Sequence, residues 1–396
     1  MKTTTTKIGT DTTTPAARLA AAALAVMLLA TALAVMPLPW APAQAATCGH
    51  VTGPFYQAKA RIFAADGSLY VPLGITVSGL ERPDWADFAA ADAAEIAAAP
   101  AWCANTVRLQ VSQQRWASGG QPYHHQVQAE VTQAEDLGMV VVINDNNEWD
   151  TPSAPMPTAL TKTFWASIAP IYKTDPQVVL DIFNEPRSHP GWACWHDGGQ
   201  ACVTAKGWHD IVGMNPLAKY VRSLAPNLMW IDGPGSQLDR VTRTGTPEQT
   251  ADTTLSAVQQ WPIWGVRPMM YSIHHPGGPR TVANWSHQFG WLAEQRYAPV
   301  VDGEWTNFAA DRAECWPDAP QRVPAYLAYL ERLHVGMTVW KLGPWDQPGT
   351  EDGVLTTTNP RVPTGFGVWA DWRCVNGYHH SAGKHIQAWY VNLNGS

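Results

Sequence analysis

The stretch Val179-Leu180-Asp181-Ile182-Phe183-Asn184-Glu185-Pro186 sets an apolar run directly against a polar pair. A short, nearly continuous run of Val, Leu and Ile is how a strand buried on both faces of a parallel sheet reads. Seven runs of the same kind accompany the predicted strand Val178–Phe183. They are Leu73–Val77, Thr106–Val111, Met139–Ile143, Leu228–Ile231, Met269–Ile273, Pro299–Asp302 and Met337–Trp340. Helical periodicity is predicted between them over Trp85–Ala98, Gln126–Leu137, Leu160–Tyr172, Ala205–Leu224 and Pro324–Leu333, with a last helix near His385–Val391. Eight strands alternating with helices predict an α/β fold of the (β/α)8 TIM-barrel kind rather than an open sheet. Ahead of it, Ala60–Phe63 and Leu69–Val71 flank Ala65-Asp66-Gly67-Ser68, and the Asp-Gly pair predicts a β-hairpin turn.

Residues 1–45 read differently. Lys2, Lys7 and Arg18 precede an apolar run from Leu19 to Val35, and Ala43-Gln44-Ala45 follows as a small-residue exit. That order is a secretory signal peptide. Prolines 37, 39 and 42 break the segment before the globular part. The expectation is a secreted, extracellular protein with one catalytic domain over residues 46–396. No repeat, linker or second module is evident. The chain carries a formal charge of −7, and removal of the leader's three bases and Asp11 takes it to −9. A protein of that sign has no electrostatic footprint for nucleic acid or anionic membranes. It suits a monomer acting on a neutral polymer or small molecule. The 21 tryptophans against 8 phenylalanines point to a cleft with flat faces on which sugar rings stack, alongside the ordinary demands of a core.

In a barrel of this kind, reacting groups sit at the C-terminal strand ends. Those positions hold Arg108, Asn184-Glu185, His274-His275, Gly303-Glu304-Trp305 and Trp340. Two glutamates on different strand ends are what glycosidic cleavage requires. One carries a proton to the leaving oxygen, and the other is ionised to attack or to activate water. Desolvation and a neighbouring carboxylate raise the pKa of one, while cations and hydrogen-bond donors lower that of the other. Asp181 and Asp302, within the strands, read as structural. Glu81 and Glu148 read as solvated loop charges. The histidine pairs at 124–125, 274–275 and 379–380 lack metal-ligand spacing, so no metal and no cofactor is expected.

Taken together, Phe183-Asn184-Glu185-Pro186, Gly303-Glu304-Trp305, Tyr271-Ser272-Ile273-His274 and the hairpin leading into Pro72-Leu73-Gly74-Ile75-Thr76 resemble glycoside hydrolase family 5 over essentially the whole mature chain. The resemblance implies Glu185 as acid/base and Glu304 as nucleophile. It implies Arg108 beside the nucleophile, Asn184 on the sugar 2-hydroxyl, His274 in the sixth-strand motif, and Trp340 as the floor under the attacked sugar. Two departures stand out. The family's histidine after strand three is replaced by Ile143-Asn144-Asp145-Asn146-Asn147-Glu148-Trp149. Its His-x-Tyr after strand six becomes His274-His275-Pro276, so the tyrosine that donates to the nucleophile is missing. The activity implied is that of a retaining endo-β-glycanase. An endo-β-1,4-glucanase comes first, with β-mannanase or another β-glycan hydrolase as the alternative and a non-catalytic carbohydrate-binding barrel behind them.

Six cysteines allow 15 pairings. Cys194 and Cys202 share the loop after strand four and are expected to pair. Cys315 and Cys374 follow strands seven and eight on the upper face and are expected to pair. Cys48 and Cys103 remain at the lower face.

Overall fold

The computed structural model describes residues 48–146, 156–186, 191–236, 238, 256–274, 281–305, 319–340, 342, 374–375, 378–379 and 382–395. Ten strands organise the part that carries the site. A hairpin of β1 (Tyr56–Ala58) and β2 (Arg61–Phe63) comes first. Then follow β3 (Leu73–Val77), β4 (Thr106–Ser112), β5 (Val140–Asn146), β6 (Val178–Asp181), β7 (Met229–Asp232), β8 (Met269–His274), β9 (Val300–Trp305) and β10 (Gly336–Val339). These eight close into a barrel in sequence order, with β10 parallel to β3. The predicted (β/α)8 barrel is therefore the fold. Strand bounds agree with the sequence reading to within three residues.

Two apolar layers hold the barrel. The larger lies between strands and helices and takes Ile75, Leu109, Ile143, Leu180 and Ile231 from the outward strand positions. The smaller fills the barrel interior with Val140, Val142, Val179, Trp230, Met270 and Val301. Phe55, Ile62 and Tyr70 from the N-terminal segment belong to this inner layer, so the hairpin plugs the floor of the barrel. Tyr70 stacks on Phe55, with 4.6 Å between centroids, and its hydroxyl lies 2.9 Å from Thr106 Oγ1. Where the sheet closes, Tyr390 of the Ala382–Asn394 helix donates to Gly74 O and accepts from Gly74 N. A Cβ on Gly74 would stand 2.7 Å from both Thr106 O and Thr338 Cγ2, so only glycine fits between β4 and β10 here.

Several expectations need correction. The antiparallel ladder joins β1 to β2, turning at Lys59 with φ 56°. The Asp66-Gly67 turn closes only the single bridge Phe63–Leu69. The predicted helix Ala205–Leu224 is two helices, Gln200–Lys206 and Met214–Leu224. Gly207 stops the first in the left-handed conformation at φ 69°, a helix C-terminus of the αL kind. Pro216 lies in the first turn of the second, where a missing N–H costs nothing. Glu81, read as a solvated charge, is buried in a short 3-10 turn. Many tryptophans are core. Trp102, Trp165, Trp195, Trp230 and Trp291 are all fully buried.

Disulfides join Cys48 to Cys103 and Cys194 to Cys202, as expected. Cys315 lies outside the described residues. So do Asn147, Glu148, Trp149, His275 and the leader.

Glu130, on the Gly120–Asp136 helix, is buried against the Trp85–Ala98 helix. Burial, then the nearby Asp92 and Glu95 charges, push its carboxyl well above the usual range, against a hydrogen bond from Gln126 Nε2 at 2.9 Å. An acid raised on folding contributes stability that is fully present below its unfolded value of about 4.3 and is lost as pH rises through the folded value. Glu130→Gln keeps the shape without the titration. The variant is expected to melt higher than the parent at pH 8 and level with it at pH 4. Equal melting shifts at both pH values would sink this account.

Candidate active site

The sequence-predicted residues converge at the C-terminal end of the barrel. Arg108 enters from β4, completely buried. Its three nitrogens go three ways. Nε donates to Asp181 Oδ2 at 2.9 Å, Nη1 to Glu304 Oε2 at 2.8 Å, and Nη2 to Asn184 Oδ1 at 2.7 Å. One guanidinium thus ties β4 to β6, to the loop after β6 and to β9. The fixed fork of arginine permits this, whereas a lysine offers a single charged point.

Glu185 stands just beyond β6 in the left-handed region, at φ 47°. That conformation is uncommon for a residue with a Cβ, and it clusters at functional sites. It is held by the Glu185 N–H, which donates to Asp232 Oδ2 at 3.0 Å. Asp232 is itself steadied by Trp195, whose Nε1–H donates to its backbone carbonyl at 3.1 Å. Trp195 lies in the Trp192–Asp197 helix, which the Cys194–Cys202 disulfide ties to the Gln200–Lys206 helix.

Glu304 faces the barrel because β9 changes phase. Val301 points into the inner layer, while Asp302 points outward and accepts from Tyr326 Oη at 2.6 Å. Strict alternation would send Glu304 outward as well. The register instead shifts on both sides, between Ile273 and His274 of β8 and between Met337 and Val339 of β10. A bulge of this kind re-aims a side chain, and bulges concentrate near active sites. Gly303 fits the bulge. A Cβ there would lie 2.3 Å from Ser272 Oγ. Its carbonyl accepts a bond from Thr338 Oγ1.

His274 lies between the two glutamates. Its Nδ1 is 3.0 Å from Glu185 Oε1 and 3.6 Å from Glu304 Oε2, and its Nε2 is 3.2 Å from Asp232 Oδ2. Burial alone would lower its basicity. The carboxylates of Asp232, Glu304 and Glu185 outweigh that and push it up to about 10, against Arg108. The ring is therefore an imidazolium at neutral pH, donating toward Glu185. The Glu304 carboxyl is raised by burial and by Glu185, while His274 and Arg108 pull it back. The expected influence of Arg108 is present, but desolvation is the larger effect. Asp181 is raised by burial to about 6 despite Arg108.

The carboxylate atoms of Glu185 and Glu304 and the nearest His274 nitrogen all lie within 4.8 Å of one another. Among the described residues these three form the one group spaced to hold a metal ion. The Glu185 side chain is 38% exposed and that of Glu304 15%, so one is open to solvent and the other deep. Trp340 follows β10, and its backbone N–H donates to Trp305 O at 2.8 Å, beside the strand end that carries Glu304. His124 stacks on Trp116 at 4.0 Å and bonds its carbonyl, away from these groups.

Sequence reasoning missed two members. Asp232 closes β7, one residue past the predicted strand end. Gln110 donates to Glu304 Oε2 at 3.0 Å and sits two residues beyond Arg108, hence on the same face of β4. Strand alternation counted from Arg108 was the available signal. Asp181, read as structural, is the anchor of Arg108, and Asp302 lies outside the barrel.

A closed parallel barrel that presents two close glutamates, a buried arginine and an asparagine at its C-terminal face defines a glycoside hydrolase. The sequence pattern described as Cellulase (glycosyl hydrolase family 5) matches residues 72–346, and the chain belongs to that family. No curated protein is similar to it in sequence. Among solved structures it is similar to a hyperthermophilic endocellulase of Pyrococcus horikoshii, at 16% identity and a TM-score of 0.61, over 86% of this chain and all of that one. It is also similar to the β-glucanase SdGluc5_26A of Saccharophagus degradans, at 16% identity and 0.61, over 87% of this chain and 95% of that one. A third is the catalytic domain of Thermobifida fusca endoglucanase Cel5A, at 16% and 0.59, over 85% and 97%. At this identity the likeness speaks for the fold.

Asp232→Asn leaves an acceptor for the Glu185 N–H but removes the first of the charges that hold His274 protonated. Nitrogen NMR of the ring is expected to show its titration moved below the parent's value of about 10. An unmoved titration would mean that the glutamates alone keep the charge.

Proposed function

We propose that the protein is a secreted, retaining endo-β-1,4-glucanase in which Glu304 is the nucleophile and Glu185 the acid/base. The observation that carries this is the spacing of the two carboxyls, whose nearest oxygens lie within 4.8 Å. Retaining pairs stand about 5–5.5 Å apart, whereas inverting pairs leave about 6.5–9.5 Å for a water. The two environments support the division of roles. Glu304 is deep and held by Arg108, as an attacking carboxylate needs. Glu185 is open to the cleft, where a proton passes to the leaving oxygen and is later taken from water.

In the first step a Glu304 oxygen bonds to the anomeric carbon as the bond to the leaving oxygen breaks. That oxygen keeps the electron pair and takes the Glu185 proton. In the second step Glu185 removes a proton from water, the water oxygen attacks the same carbon, and the Glu304 carboxylate leaves. In this reading Asn184, held by Arg108, meets the sugar 2-hydroxyl, Trp340 forms the floor under the ring, and His274 orients Glu185 through Nδ1.

A β-glucan is favoured because the similar structures include endocellulases and β-glucanases, the S. degradans enzyme among them in complex with cellotetraose. β-Mannan hydrolysis by the same chemistry is the second reading. The sequence departures from the family at Asn144–Trp149 and His275-Pro276 weaken the transfer of the family's glucan substrate to this chain. Export is supported by the leader pattern of residues 1–45 and by two disulfides, which persist in oxidising compartments. Action as a monomer on a neutral oligosaccharide, without nucleic acid or membrane, is supported by the acidic charge.

The test uses Glu304→Ala and Glu185→Ala with an activated aryl β-glycoside, with and without azide. Glu304→Ala is expected to be inactive alone and to give an inverted glycosyl azide. Glu185→Ala is expected to form the glycosyl-enzyme and to release a retained azide product. Exchanged outcomes would reverse the roles, and wild-type turnover in either variant would remove that residue from the mechanism. Reducing-sugar release from cellulose, mixed-linkage glucan, mannan and xylan decides the substrate. Cleavage of polyuronic acids in preference to all of these would contradict a neutral substrate.

A further inference from the structure

Gln110 is a polar side chain with almost no exposure, and packing does not account for it. Its amide nitrogen donates to Glu304 Oε2 at 3.0 Å. Its carbonyl oxygen is buried without a hydrogen-bond partner among the described residues. An apolar side chain of equal length would fill the space and strand no carbonyl. An ionised carboxylate only accepts, so the nitrogen end of the amide must face Glu304.

The contacts of Glu304 are lopsided. Arg108 Nη1 and Gln110 Nε2 both aim at Oε2, and His274 Nδ1 approaches the same atom at 3.6 Å. Oε1 accepts no hydrogen bond from the described residues. Two donors from adjacent inward positions of one strand therefore fix the plane of the carboxylate and leave one defined oxygen unengaged.

We infer that Gln110 is the positioning residue of the nucleophile, locking Oε2 so that Oε1 is the atom that attacks the anomeric carbon. This rests on Glu304 being the nucleophile. In the attack, Oε1 forms the new bond to carbon while Oε2 becomes the ester carbonyl. In the second step the electron pair of the breaking ester bond returns to the carboxylate, whose Oε2 charge Gln110 and Arg108 again receive. The amide thus has two tasks. It keeps Glu304 ionised before attack, opposing the burial that raises it, and it stabilises the carboxylate as a leaving group. The missing strand-six tyrosine is offset from the opposite wall of the barrel, by a group that does not titrate.

Gln110→Met retains the volume and removes the donor. Its kcat is expected to fall about ten- to a hundredfold, as for loss of a hydrogen bond to a charged group. KM should be nearly unchanged, and the acid limb of kcat/KM should move to higher pH by about one unit. Gln110→Glu is the second variant. A protonated carboxyl can donate as the amide does, while an ionised one repels Glu304. It is expected to keep much of its activity on the acid side and to lose it as pH rises. Melting temperatures of both variants are read alongside, and a Gln110→Met protein that does not fold leaves the decision to the Gln110→Glu profile. Wild-type kcat and an unmoved acid limb in folded Gln110→Met would overturn the inference, as would a Gln110→Glu profile parallel to the parent's. Glu304→Ala, assayed beside them, separates the two failures. If it is inactive while Gln110→Met is normal, only the role of Gln110 falls. If it is active, the nucleophile assignment itself falls.

Discussion

The site hangs on one buried guanidinium. Arg108 has no contact with solvent, and each of its three nitrogens is committed to a different acceptor. Burying such a group is costly, and the return in net stability from its partners is generally small. What the arrangement supplies is geometry. Asp181 anchors the near side of the fork, Asn184 is held just beyond β6, and Glu304 is drawn toward the barrel axis. Any shift of β4 against β6 or β9 would have to break a charge-assisted bond in a dry interior, where such bonds are strong.

Around that cation, protonation is a shared property rather than a residue-by-residue one. Asp181, Asp232, Glu185 and Glu304 surround two positive groups, Arg108 and His274. Burial raises the carboxyls of Asp181 and Glu304, and the two cations oppose it. His274 is kept charged against its own burial only because carboxylates face both of its nitrogens. In the proposed mechanism, forming the Glu304 ester would remove a charge that faces His274, and the protonation of Glu185, which shares that imidazole, would shift with it.

Much of this was legible in the sequence, for identifiable reasons. Each barrel strand is buried on both faces, so its apolar run is nearly unbroken and its C-terminal end is marked by the first polar residues. That put Glu185, Arg108 and His274 in place. The helix around Ala205 was misread because the apolar period continues across Gly207, while the backbone turns there for a reason that only glycine's conformational freedom supplies. Glu81 and Glu130 were invisible as buried acids, since a charge in a sequence gives no sign of the neighbours that enclose it. Gln110 and Asp232 were passed over because amides and aspartates at strand ends are common. Only the closed barrel brings β4 and β7 to the same few ångströms as β9. The tryptophan count misled in degree, because the outer layer between strands and helices absorbs so many of them.

The bulge at Gly303 sets the heading of Glu304 by a count of residues rather than by an attraction. Val301 and Glu304 both look inward although three positions separate them, and an unbroken strand would turn one of them away. Chain length between these two points is therefore a hidden component of the site. Removing one residue there would keep every reacting group in the sequence and still present the carboxylate of residue 304 to the outer layer instead of the cleft. In alignments of distant barrels, a one-residue gap at this strand changes what the chain can do, whereas a gap of many residues in an outer loop leaves the geometry of Glu185, His274 and Glu304 untouched.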